Sequence, residues 1–170
     1  MKIVFEKMDI NYQKEVMEIF NYYVVNSTAA FPTKELPEHF YAMLLKKSEG
    51  YPAYVMIDQE KNKVAGFCQL SAYNPFASFS KTACVTYFIA SEYTSKGLGS
   101  MCLSKLEEEA KEMEIEHLIA EISSENSGSI SFHKKHGFET AGELHNIGEK
   151  FDRKFGIVLM SKVLAASKNK

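Results

Sequence analysis

Between Thr82 and Glu114 the side-chain period changes from that of a strand to that of a helix across one glycine-bearing turn. TACVTYFIA is a β-branched and aromatic run, and beyond Gly97 and Gly99 the apolar positions Leu98, Cys102, Leu106, Ala110 and Met113 recur at helical spacing. A strand that feeds an amphipathic helix so directly must lay that helix on a sheet.

The flanking sequence extends the same design. Ile3 and Phe5 alternate with polar neighbours as a short strand, and Asp9 can cap a helix whose apolar face is Tyr12, Val16, Ile19, Phe20, Tyr23 and Val24. Pro32 and Pro37 break the pattern into a loop, and Phe40, Met43, Leu44 and Lys47 suggest a short second helix starting near Pro37. AYVMID and KVAGFCQLSAY, joined by the polar QEKN, predict an antiparallel hairpin. After the glycine turn and its helix, HLIAEI reads as a buried strand, and Ser127 caps a helix through about His136, closed by Gly137. ETAGELHNI and FDRKFGIVLMSKVL are two final strands. The order is strand, helix, helix, three strands, helix, strand, helix, two strands, which predicts a mixed α/β sheet covered by helices. At 170 residues the chain suits one domain, residues 1–166, with 167–170 as a frayed tail.

Twenty basic and twenty-two acidic residues leave a net charge of −2, so no global field exists to hold nucleic acid or an anionic membrane. Cys68, Cys84 and Cys102 are scattered singly, with neither a disulfide framework nor a metal pair, which suits a reducing cytoplasm. Glu6 and Asp9 stand where a signal peptide would be apolar. His133 and His136 share one helix, but no third ligand pattern accompanies them, so no metal is expected.

The chemistry concentrates at the glycine turn. The start of a helix leaves backbone N–H groups unbonded and carries positive partial charge, a combination that favours anions. Gly97 and Gly99 let a diphosphate approach the main chain, Thr94, Ser95 and Ser100 offer hydroxyls, and Lys96 adds a charge. Neither a P-loop, G-x-x-x-x-G-K-[ST], nor a Rossmann G-x-G-x-x-G is present. The turn is followed instead by ENSGSISFHKKHGFE.

With that second block the sequence resembles the GNAT superfamily of acetyl-coenzyme A dependent N-acetyltransferases. The turn motif is represented by Thr94-Ser95-Lys96-Gly97-Leu98-Gly99, and the later cofactor segment by Asn126, Ser129, His133, Gly137 and Phe138. Asn26 to Phe31, Tyr93 to Ser100, the HKKHGF block and Lys150-Phe151 are similar to the phosphinothricin and amino-acid N-acetyltransferase branch. The resemblance implies a three-layer fold with a mostly antiparallel sheet of six to seven strands, helices on both faces and a V-shaped splay between strands four and five. It implies that Phe88, Ile89 and Ala90 line the pantetheine arm, and that Thr94, Ser95, Lys96, Gly97, Leu98, Gly99 and Ser100 hold the pyrophosphate. Asn126, Ser129 and His133 would contact the cofactor, and the last strands would form a homodimer. Three departures limit it: Thr94 replaces an Arg or Gln, Cys84 replaces a strand-four glutamate regarded as the general base, and FDRKFG alters the acceptor block.

Acetyl transfer needs a neutral amine, and deprotonating an α-amine of pKa about 8 costs only about 1.4 kcal/mol at pH 7, against nearly 5 kcal/mol for a lysine. The missing glutamate therefore points to a small α-amine, an amino acid or analogue, as acceptor. Glu121 interrupts the HLIAEI run and is the candidate base, with an exposed or ion-paired strand glutamate as the plain alternative. His133 can protonate the departing thiolate or simply pack beside the cofactor. The oxyanion falls to the main-chain N–H of Phe88 or Ile89. Two other readings compete: an acyl-CoA binding or sensing module without catalysis, and a protein N-terminal or lysine acetyltransferase.

Overall fold

The computed structural model describes residues 1–164, so the boundary expected at 166 and the tail at 167–170 lie outside the described residues. The strands and helices follow the expected order: β1 (Ile3–Lys7), α1 (Gln13–Asn26), α2 (Tyr41–Lys47), β2 (Ala53–Asp58), β3 (Lys63–Ala72), β4 (Thr82–Ile89), α3 (Leu98–Glu112), β5 (His117–Ser123), α4 (Ser127–Lys135), β6 (Glu139–Lys150) and β7 (Arg153–Val163). They build one seven-stranded sheet in the order β1-β2-β3-β4-β5-β7-β6. The β4–β5 pair is parallel because α3 carries the chain back before β5 begins; the other pairs are antiparallel.

Local signals set the element ends, with two corrections. Asp9, in extended backbone, accepts from the Asn11 N–H at 2.8 Å and opens a 3-10 turn, Ile10–Tyr12, ahead of α1. The cap of α4 is Asn126, not Ser127: its side chain accepts from the Ser129 N–H at 3.1 Å, and Ser127 is already helical. Gly137, at φ +85°, ends that helix in the left-handed conformation expected of it. The last strand begins at Arg153 rather than Phe151, because Phe151 and Asp152 (φ 55° and 56°) make a tight turn of the type glycine and asparagine usually supply. No glycine marked it in the sequence.

Alternation along β4 sorts the two layers. Phe88 meets Phe20 and Tyr23 of α1, whereas Tyr87 meets Phe132 and His133 of α4, so α1 and α4 cover opposite faces. The core between sheet and helices holds Phe67, Leu70, Leu103, Leu106, Leu118 and Met160, all at most 1% exposed. Phe67 stacks on Phe88 across the β3–β4 ladder, with ring centroids 5.6 Å apart. Removing that ring leaves a cavity beneath β4, so Phe67→Ala is expected to lower unfolding free energy by about 3–5 kcal/mol, read as a shifted urea midpoint at unchanged slope.

Candidate active site

The β4–β5 ladder stops almost as soon as it starts. Thr82, Ala83 and Cys84 pair with His117, Leu118 and Ile119, after which β4 continues beside β3 and β5 continues beside β7. The two strands part into a wedge-shaped gap, as the resemblance implied. Ala90 donates its N–H to the Ala65 carbonyl at 2.9 Å, so the two-residue period turns Phe88 towards β3 as well and turns Tyr87 and Ile89 into the gap. Of the three residues expected to line it, Ile89 is therefore the one that offers its main chain to the gap. Its carbonyl is already held by the Tyr23 hydroxyl at 2.6 Å, which leaves its N–H for another partner.

At the open end of the wedge stands the start of α3. The first amide there to find a carbonyl is that of Met101, bonded to Gly97 at 3.2 Å. Among the described residues, the amides of Ser95, Lys96, Gly97, Leu98, Gly99 and Ser100 donate to no protein acceptor. Ser95 at φ 59° and Gly97 at φ 85° curl these amides into a concave nest at the positive end of the helix. A Cβ on Gly97 would meet nothing, so the glycine is required by its backbone angle and not by crowding. Two of the side chains bond locally. Thr94 returns its hydroxyl to the Ser91 carbonyl at 2.8 Å, and Lys96 returns its ammonium to the Glu92 carbonyl at 2.6 Å.

Helix α4 buttresses this corner. Phe132 lies 3.4 Å from where a Cβ of Gly99 would be, and the Ser100 hydroxyl meets His136 Nε2 at 3.0 Å. Asn126 and Ser129 open α4 and His133 lies in its last turn, and their polar atoms serve the helix itself: Asn126 caps Ser129, and the Ser129 carbonyl accepts from His133 Nδ1 at 2.8 Å. That bond fixes the proton on Nδ1 and leaves Nε2 bare, where it receives the Tyr87 hydroxyl at 2.6 Å. His133 is 3% exposed, and its burial holds the imidazole below its ordinary pKa of 6.5. The expected proton donor is thus a neutral acceptor, and the O–H it orients belongs to Tyr87. No motif marked Tyr87; only its place one residue before Phe88 on the strand hinted at it.

The opposite face carries the remaining chemistry. Ser123 bonds Thr28, in the segment after α1, at 2.7 Å, so Glu121, two residues back on β5, faces the α1 side too. Glu121 is exposed and makes no hydrogen bond or ion pair among the described residues. Cys84 lies on the same face across the splay; burial, then the Glu121 charge, pushes its thiol pKa up. A protonated thiol cannot be the base. Phe31 stacks on Phe155 at the edge of this face, centroids 6.1 Å apart. Among the described residues no group of three or more His, Cys, Asp or Glu could hold a metal ion.

Residues 16–138 match the acetyltransferase (GNAT) family, and the chain belongs to it. An L-methionine sulfoximine/L-methionine sulfone acetyltransferase of Pseudomonas paraeruginosa is 29% identical over 147 residues, 85% of each chain. A ribosomal-protein-alanine N-acetyltransferase of Brucella melitensis has the same fold with a TM-score of 0.86 and 27% identity, over 95% of this chain and 99% of that one. A phosphinothricin acetyltransferase of Sinorhizobium meliloti, solved with AcCoA, superimposes with a TM-score of 0.90 at 23% identity, over 100% of this chain and 93% of that one.

Cys68 and Cys102 are fully buried and Cys84 is partly exposed. A thiol reagent is therefore expected to label Cys84 alone in the folded protein and all three cysteines after denaturation, as peptide mapping would show. Acid should act through His133. Below pH 6.5 the unfolded chain protonates this imidazole before the folded chain does, so its stabilising contribution declines as pH falls towards the lowered folded value. Urea titrations between pH 7 and pH 5 should show that slope, and His133→Asn should flatten it.

Proposed function

We propose that the chain is an N-acetyltransferase that moves an acetyl group from acetyl-coenzyme A to the primary amine of a small molecule, an amino acid or an analogue of one. The carrying observation is the continuity of unbonded main chain: a nest of free amides at the start of α3 leads into a gap edged by Tyr87 and Ile89, and the far face of that gap holds the unpaired carboxylate of Glu121. The nest fits a pyrophosphate, and the open edge of β4 fits an extended arm carrying amides of its own. The names of relatives support the acceptor class, since the Pseudomonas enzyme is called a methionine sulfoximine and sulfone acetyltransferase.

In this reading Ser95 to Ser100 bind the pyrophosphate through main-chain N–H groups, while Asn126 and Ser129 act indirectly, by shaping α4. Coenzyme A, when bound, supplies the acetyl group as a thioester. The Ile89 N–H donates to the acyl oxygen as negative charge develops there, in a place where Phe88 cannot. Glu121 receives the proton of the attacking amine, directly or through water, while the Tyr87 O–H is committed to His133 Nε2, which leaves the departing sulfur to take its proton from solvent. Transfer is direct, because the raised thiol pKa of Cys84 disfavours an acyl-enzyme on that residue. Residues 1–166 form one catalytic domain, placed in the cytoplasm. The described residues include no helix long and apolar enough to cross a membrane. A homodimer is part of the proposal, supported by the long edge strand β6, whose Leu144 and Ile147 are 46% and 59% exposed.

Release of free thiol from acetyl-coenzyme A, measured over a panel of amino acids, simple amines and peptides, tests the assignment. Turnover with α-amino acids is expected; binding without turnover would favour the sensing module, and turnover with peptides alone would favour a protein acetyltransferase. Glu121→Gln should lower kcat by about 10²–10⁴-fold with coenzyme A affinity unchanged. Gly97→Val, which forces a branched side chain into left-handed backbone, should weaken coenzyme A binding by about tenfold, measured by calorimetry.

A further inference from the structure

Lys150 is a lysine only 3% exposed that makes no ion pair among the described residues. Buried charges ordinarily sit against a counter-charge, so its surroundings call for a reason. The ammonium donates to the carbonyls of Ser27 and Ala30, each at 2.7 Å. Ser27 ends α1, and α1 has no basic residue in its own last turn. Lys150 therefore brings, from the β6–β7 hairpin, the positive charge that a helix C-terminus favours.

The bonds continue inward from that cap. Ser27 donates both its N–H and its hydroxyl to the Tyr23 carbonyl, each at 3.1 Å. Tyr23 in turn donates its hydroxyl to the Ile89 carbonyl at 2.6 Å, in the gap between β4 and β5. A second arm leaves the same hairpin tip. Arg153 places Nε and Nη2 on the two oxygens of Glu125, both at 2.8 Å, and Glu125 accepts from the Thr28 hydroxyl at 3.2 Å, which meets Ser123 at 2.7 Å. The hairpin tip thus grips the segment after α1 at Ser27, Thr28 and Ala30 and fastens it to both strands of the splay.

We propose that Lys150 is a positioning residue for acetyl transfer: through Ser27 and Tyr23 it holds the Ile89–Ala90 peptide, and so the backbone angles of Ile89 that aim the adjoining N–H at the acyl oxygen. The proposal rests on the reading of Ile89 given above. It differs from a purely structural role for the lysine in one respect, that its effect must pass through Tyr23.

Lys150→Met keeps the aliphatic stem and removes the donor, and Tyr23→Phe removes the last bond of the relay. Each is expected to lower kcat about tenfold while leaving coenzyme A affinity within about twofold, and the double variant should be no slower than the slower single one. Multiplying losses, or a parallel loss of coenzyme A affinity, would overturn the proposal. Lys150→Gln, which retains one polar donor, serves if the methionine variant does not fold and is expected to fall between it and the parent. Amide hydrogen exchange of the ligand-free protein gives a readout independent of turnover: exchange at Ala90, whose N–H is bonded to the Ala65 carbonyl and shares a peptide group with the Ile89 carbonyl, should quicken in the Lys150 variants, and unchanged exchange there would also overturn the proposal. If the parent acetylates no amine while this exchange effect is present, the catalytic assignment fails and the relay stands.

Discussion

Everything at the site depends on a ladder that ends early. A parallel pair abandoned after Cys84 and Ile119 leaves β4 with one bonded edge and one open edge. Open strand edges in a sheet interior are costly, because each unpaired N–H or C=O must find water or another partner. Here the cost is partly relieved by Tyr23, which occupies the Ile89 carbonyl, and the groups left over define where an extended ligand can lie. The wedge also gives access to both faces of the sheet. One face presents the amides at α3; the other presents Glu121 and Cys84.

The two faces use polar groups differently. On the α3–α4 face the recognition surface is main chain, held by side chains that are themselves satisfied: His133 between the Ser129 carbonyl and the Tyr87 hydroxyl, and His136 between the Phe132 carbonyl and the Ser100 hydroxyl. Each ring has its proton on Nδ1 by the same rule, since a carbonyl can only accept. On the α1 face the unsatisfied groups among the described residues are side chains: the exposed Glu121 and, on β3 opposite Thr86 and Cys84, the buried Gln69 and Ser71. Fixed dipoles suit a large anion that must be held the same way every time, whereas a free carboxylate suits proton exchange with solvent.

Most of the architecture was legible because strand and helix periods alternate cleanly from Ile3 to Val163, and because glycine marks the turns at Gly97 and Gly137. The turn at Phe151 and Asp152 was not, since neither residue advertises a left-handed backbone. At the site, the nest was readable as a helix start after a strand. What sequence could not show was parity and partnership. Whether Phe88 or Ile89 faces the gap depends on one cross-strand bond from Ala90, and whether His133 gives or receives a proton depends on a carbonyl one turn away. Tyr87 and Tyr23 lack any local signature, and Lys150 was marked only by resemblance, because their roles exist only through partners distant in the chain.

The brevity of the β4–β5 pairing has a consequence for how the molecule is assembled. On one side of that seam lie β1 to β4, and on the other β5 to β7, so the halves of the sheet are also consecutive halves of the polypeptide. Cleavage in the linker ahead of α3 would leave each fragment with a whole block of strands, and what rejoined them would be side-chain burial beneath the helices far more than backbone complementarity. The chain is in this sense already organised as two complementary parts.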